Sequence, residues 1–184
     1  MTKTVIGALS TAPSSKATET TKARWLLYCL GLGAAGVALH AGVRLPLHVP
    51  GHHGLEWMAL LAFARLAVPG RWAATGTGTA AAAVAYLPIW GFHDPFAPLV
   101  YLSAAVVFDA LCLLGARRAP RLVSAAAGGL AFTVAGFIPF LAGPHGGGVS
   151  PALWAWAHFA FGLTGAWVGA QAGSWAVRRA GREP

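Results

Sequence analysis

Long apolar runs separated by short polar punctuation set the pattern of this chain. The first run extends from Trp25 to Ala41 and stops at a segment of Arg, His and Pro, Arg44 to His53, that cannot continue a lipid-facing helix. A second run covers Gly54 to Val68 and is closed by Pro69-Gly70. A third, Trp72 to Trp90, is built almost wholly of Ala, Gly, Thr and Val, a composition that lets helix backbones approach closely. A turn at Gly91-Phe92-His93-Asp94-Pro95 separates it from a fourth run, Phe96 to Leu114, which ends in the basic knot Arg117-Arg118-Ala119-Pro120-Arg121. The fifth covers Leu122 to Leu141, a Gly-Pro loop with His145 follows, and the sixth covers Ala152 to Val177. These lengths predict an all-α integral membrane protein, a bundle of six transmembrane helices. Residues 1–23, polar and small with no secretory apolar core, read as a disordered tail, residues 24–178 as the transmembrane domain and residues 179–184 as a basic C-terminal tail.

Composition agrees with this reading. Of the residues 57% are hydrophobic and only 10% charged, with a mean hydropathy of +0.61, too little charge to cover a water-soluble surface. Both cysteines, Cys29 and Cys112, lie in apolar runs, so neither a disulfide framework nor a cysteine metal motif can be built.

Thirteen Lys and Arg against five Asp and Glu give a formal +8, a balance that would suggest nucleic acid in a soluble protein. The positions of the charges argue otherwise. Lys3, Lys16, Lys22 and Arg24 precede the first span, Arg71 joins the second to the third, Arg117, Arg118 and Arg121 follow the fourth, and Arg178, Arg179 and Arg182 follow the sixth. The opposite loops hold Arg44 alone, so the positive-inside rule places both termini in the cytoplasm of a multi-pass protein of the cell (inner) membrane. The charge then reports topology and contact with anionic lipids, not nucleic acid.

All seven histidines fall in the outer half: His40, His48, His52, His53, His93, His145 and, roughly 10 Å below the outer end of the sixth span, His158. Glu56 and Asp94 share that level. Imidazole and carboxylate are the usual ligands of divalent Zn, Co, Ni or Cu, and a face nearly free of Lys and Arg does not repel a cation. The expected ligand site therefore comprises His48, His52, His53, Glu56, His93, Asp94 and His158, with His48, His52, His53 and Glu56 as the metal set. Pro50-Gly51 turns the chain there, and a second helix starting near His53 puts His53 and Glu56 on one face. Two charges lie deeper, Arg65 and Asp109, at matching depths of roughly 17 and 20 Å, and form a candidate buried ion pair. Aromatic residues near the outer interface, among them Trp90, Tyr101 and Trp154, read as an interfacial belt from which a few could stack on an organic ligand.

The six short spans, the cytoplasmic termini, the small-residue face of Gly31 to Ala38 and the polar loop between the first two spans together resemble the substrate-binding S component of energy-coupling factor transporters. The stretch Asp94-Pro95-Phe96-Ala97-Pro98-Leu99-Val100-Tyr101-Leu102, running on to Asp109, is similar to the fourth helix of that group. The resemblance implies a membrane-embedded subunit, not an enzyme, that captures a vitamin-like solute or a transition-metal ion under the first outer loop. It implies that Ala34 and Ala38 meet a membrane coupling protein, and that other chains supply the ATPase pair, since no phosphate-binding Gly-Lys-Ser/Thr loop occurs here. Two alternatives stay open. His40 and His158, on facing helices, could hold a b-type haem of a respiratory complex. His48-x3-His52-His53 looks like one histidine box of membrane di-iron hydroxylases.

Overall fold

The computed structural model describes residues 15–42, 49–90, 95–115, 120–141 and 150–181, and all regular structure among them is helical. In chain order these are α1 (Ser15–Gly42), α2 (Gly54–Ala67), α3 (Ala73–Ala85), a 3₁₀ turn (Pro88–Trp90), α4 (Ala97–Gly115), α5 (Pro120–Gly136), the single-turn α6 (Ile138–Leu141) and α7 (Pro151–Arg179). Two of them, Glu19–Gly42 within α1 and Ala97–Gly115, are long and apolar enough to cross a membrane.

Most boundaries follow the apolar runs, and three differ. Helix α1 begins at Ser15, so the end of the segment read as a disordered tail is helical. Residues 15–24 lack Gly and Pro and include Lys16, Ala17, Glu19, Lys22 and Ala23, all good helix formers, so the helix of the apolar run continues backwards through them. The third run is helical only to Ala85, because Pro88 has no amide hydrogen to continue the ladder and turns the chain into the 3₁₀ segment instead. Pro139 has a similar effect on the fifth run, which divides at Phe137 into α5 and α6.

Helices α2 and α7 make the most extensive contact, followed by α5 with α7 and α3 with α4; α1 leans on α3 and more lightly on α2. Glycines make these approaches possible. A Cβ on Gly165 would be driven into the carbonyl oxygens of Leu55 and Gly54, and one on Gly169 into the backbone of Ala59. Likewise Gly128 and Gly162 face each other across α5 and α7, and Gly78 meets Ala105 and the Tyr101 carbonyl on α4. The core between the helices holds Val37, Trp57, Met58, Leu61, Phe108 and many alanines. The outside is apolar too. Leu27, Tyr86, Ile89, Leu114, Leu122, Trp156 and Val168 are all exposed.

Because α2 and α7 touch through backbone, enlarging the glycines between them should overpack the bundle. Gly169→Val is expected to cost about 1–3 kcal/mol, whereas Gly31→Ala, which meets nothing within 4 Å, should leave stability unchanged or slightly raised. Thermal unfolding of the two purified variants compares them directly.

Candidate functional site

Four consecutive residues of the first loop, Pro50 to His53, form the turn into α2. Gly51 carries it at φ 79°, a left-handed conformation open to glycine, and Gly54 N–H donates to the Gly51 carbonyl at 2.9 Å. The same glycine lies directly over the His158 imidazole, where a Cβ would stand 2.9 Å from Nδ1. The loop thus caps the N-terminal third of α7.

Beneath it lies a cavity of ≈ 270 Å³. Imidazoles of His40, His53 and His158 line it, with aromatic walls from Trp57, Tyr101, Phe132 and Trp154. At one wall the ligand atoms of His40, His53 and Glu56 lie within 4.8 Å of one another. Two donors on one ion stand no more than about 4.2 Å apart, twice a metal–ligand distance of ~2.1 Å, so a bound ion needs these side chains to close by roughly half an ångström. Rotation of partly exposed rings supplies that.

Hydrogen bonds orient the imidazoles. His53 Nδ1 stands 3.0 Å from Glu56 Oε1; an ionised carboxylate only accepts, so His53 donates from Nδ1 and keeps the Nε2 lone pair. His158 donates from Nδ1 to the Trp154 carbonyl at 2.9 Å, with the same consequence. A carboxylate or a carbonyl behind the ring is how metal-binding histidines are usually fixed. The His158 ring is held further by stacking on Trp154 and Phe132, centroids 4.6 and 5.2 Å away. His40 stacks on His53 at 4.0 Å and meets the Tyr101 ring edge-on. Trp57 is buried, and among the described residues its indole Nε1 has no hydrogen-bond acceptor.

The structure therefore regroups the residues expected from sequence. His53 and Glu56 come together through the three-residue spacing that set them on one face of α2. His52 does not join them. Its Nδ1 donates to the Val49 carbonyl at 2.8 Å, and its ring covers the outer side of His53, centroids 3.9 Å apart. His40, read from sequence only as a haem ligand, takes the place expected of His52. It stands three turns after the buried Cys29, on the same inward face of α1. His158 lies on the same cavity but outside the close group. His48, His93, Asp94 and His145 lie outside the described residues. The cavity lies near the lower end of the ~300–1,000 Å³ range of small-molecule pockets.

Deeper in the bundle, Arg65 Nε lies 3.4 Å from Asp109 Oδ1, and the carboxylate is wholly buried. Its other oxygen accepts from the Thr75 amide at 2.7 Å and the Thr75 hydroxyl at 2.8 Å. Arg65 also donates to the Arg71 carbonyl, so one guanidinium ties the end of α2 to the turn before α3 and to α4. Every visible partner is structural. Ala34 is half-buried and Ala38 exposed, on a side of α1 where Gly31 also meets open space.

No family model, curated protein or solved structure matches the chain. Function is therefore argued from the fold and the cavity.

Breaking the deep pair from one side strands a buried charge. Arg65→Met or Asp109→Leu alone is expected to destabilise the bundle by about 3–5 kcal/mol, and the two together by clearly less than the two single losses added. A double-mutant cycle on unfolding in detergent measures the coupling.

Proposed function

We propose that this chain is a six-span membrane protein with both termini in the cytoplasm, and that it captures a divalent transition-metal ion at an outward-facing site as the binding subunit of a transporter. The observation that carries the reading is the convergence of His40, His53 and Glu56, whose ligand atoms lie within 4.8 Å of one another, beside a cavity that His40, His53 and His158 line. Those side chains come from α1, α2 and α7, whose outer ends carry histidine and carboxylate and whose inner ends carry Lys22, Arg24, Arg178 and Arg179. Membrane placement is supported by the two apolar helices of spanning length and by the large apolar side chains on the outside of the bundle.

In this reading His40 and His53 bind the ion through neutral imidazole nitrogens. Glu56 either completes the set or holds the His53 ring by its Nδ1 hydrogen bond; both roles lower the affinity when the carboxylate is removed. His158 faces the ion across the cavity, and the remaining space takes the waters the ion retains. The Val49–His53 turn would cover the site and slow release. Ala34 and Ala38, on the open side of α1, would meet a membrane coupling protein, with ATPase subunits beyond it, as in the S components this chain resembles.

A small organic solute is the second reading. It is favoured by the aromatic walls and by the Trp57 indole N–H, which a carbonyl or carboxylate of such a solute would satisfy.

Two measurements test this. Calorimetric titration of the purified protein with Co²⁺, Ni²⁺ and Zn²⁺ should give one site. Glu56→Gln should weaken it by about 10–100-fold, while His52→Ala leaves it within roughly a factor of three because that side chain lies outside the close group. Undiminished metal affinity in a folded His40→Ala, His53→Ala, Glu56→Gln variant would remove the assignment. For the topology, a cysteine introduced as Arg118→Cys should react with an impermeant thiol reagent only from the cytoplasmic side, and one introduced as Gly147→Cys only from outside.

A further inference from the structure

At the opposite end of the bundle, two further cavities meet at one side chain. The larger, ≈ 470 Å³, is lined by Lys22, Arg24, Trp25 and Tyr28 of α1 together with Thr21 and Pro69. On a helix these α1 residues span one broad face, with Trp25 and Tyr28 in the middle and the two cations on either flank. The second cavity, ≈ 260 Å³, is an apolar groove between α1 and α7 with α2 as its floor, and Leu32, Phe63, Val68 and Val177 line it. Tyr28 borders both cavities.

The groove exists because α1 touches α3 extensively and α2 only lightly, leaving α1 and α7 apart on this side. From Thr21 to Leu32 the cleft runs about 16 Å along α1, at 1.5 Å per residue. That matches one leaflet's half, ~15 Å, of the hydrocarbon thickness of a bilayer. Among the described residues no acidic side chain lines either chamber. At the end of α7, Arg179 lies over the Trp175 ring at 4.2 Å.

We infer that this cleft is a specific site for one anionic phospholipid, its phosphate held between Lys22 and Arg24 against Trp25 and Tyr28, and one acyl chain lying in the groove between α1 and α7. Charge complementarity selects the headgroup. The apolar chamber, which shares Tyr28 with the basic one, selects a lipid over a soluble phosphate. The inference goes beyond the metal-capture reading and shares with it only the membrane placement, which the cysteine-labelling experiment tests separately.

The test is native mass spectrometry of the full chain in detergent with phosphatidylglycerol or phosphatidylcholine added at equal concentration. One phosphatidylglycerol per chain is expected, retained in preference to phosphatidylcholine. Lys22→Ala with Arg24→Ala should reduce its retention by roughly 30-fold, since each cation near the surface contributes about a factor of five. Both side chains are exposed, so the fold should survive, as circular dichroism will show. Ala67→Phe, which fills the groove and leaves the cations in place, should also weaken retention, while His53→Ala should leave it unchanged. Equal retention of the two lipids, or no loss in the double variant, overturns the proposal. So does displacement of the lipid by millimolar glycerol phosphate or inorganic phosphate, which identifies a soluble-phosphate site, or a polypeptide occupying the cleft in its place.

Discussion

A carboxylate with no solvent contact, Asp109, is the constraint around which the inner half of the bundle is arranged. Removing such a charge from water is unfavourable unless it is compensated: Oδ2 accepts from the amide and hydroxyl of Thr75 on α3, and the Arg65 guanidinium of α2 stands 3.4 Å from Oδ1 as an ion pair, while among the described residues Oδ1 receives no hydrogen bond. The helices bearing these partners are thereby fixed relative to α4. For α2 the consequence reaches the other end, because the helix whose last turn carries Arg65 carries His53, Glu56 and Trp57 at its start. A helix of this length transmits its rotation rigidly, so the ion pair sets which face α2 turns toward the outer cavity.

Rotation alone would not bring the walls of the cavity together. Separation is set by glycine, which brings α7 onto α2 until backbone meets backbone at Leu55 and Ala59. In the proposed membrane setting, burial of apolar surface between helices would yield little, and dispersion across such tight contacts would supply the attraction instead. His158 occupies the outer end of this seam, where Gly51 and Gly136 leave room for its ring. Larger residues at those glycines would push the imidazole out of the space it shares with His53. Close packing and the candidate site therefore have one origin in the small-residue composition.

Much of this was legible in the sequence, because charge and punctuation are local signals. The ends of α2, α4 and α7 follow the apolar runs, the matching depths of Arg65 and Asp109 anticipated their contact, and the three-residue spacing of His53 and Glu56 anticipated theirs. The azimuth of α1 was not legible. A helix apolar on nearly every side gives no moment to say which face turns inward, so the assignment of His40 to the His53 group waited for three dimensions. His52 failed for a related reason. Adjacent residues in a turn point in different directions, and the Val49 carbonyl claims the imidazole that composition alone would assign to the ion.

The two ends of the bundle are chemically opposed, and the opposition explains why one chain can carry two unlike sites. In the proposed orientation, basic side chains gather where anionic headgroups lie, so Lys22 and Arg24 serve topology and lipid contact with the same charge. Their absence at the other end has an equal effect. In the same orientation, a cation entering the outer cavity would meet imidazole lone pairs, with the Glu56 carboxylate on His53, and among the described residues no ammonium or guanidinium lines the wall. In that reading, basic residues spread evenly would repel a cation from one end and blur the preference for phosphate at the other, so the asymmetry proposed to orient the protein in a membrane would also set the selectivity of each proposed site.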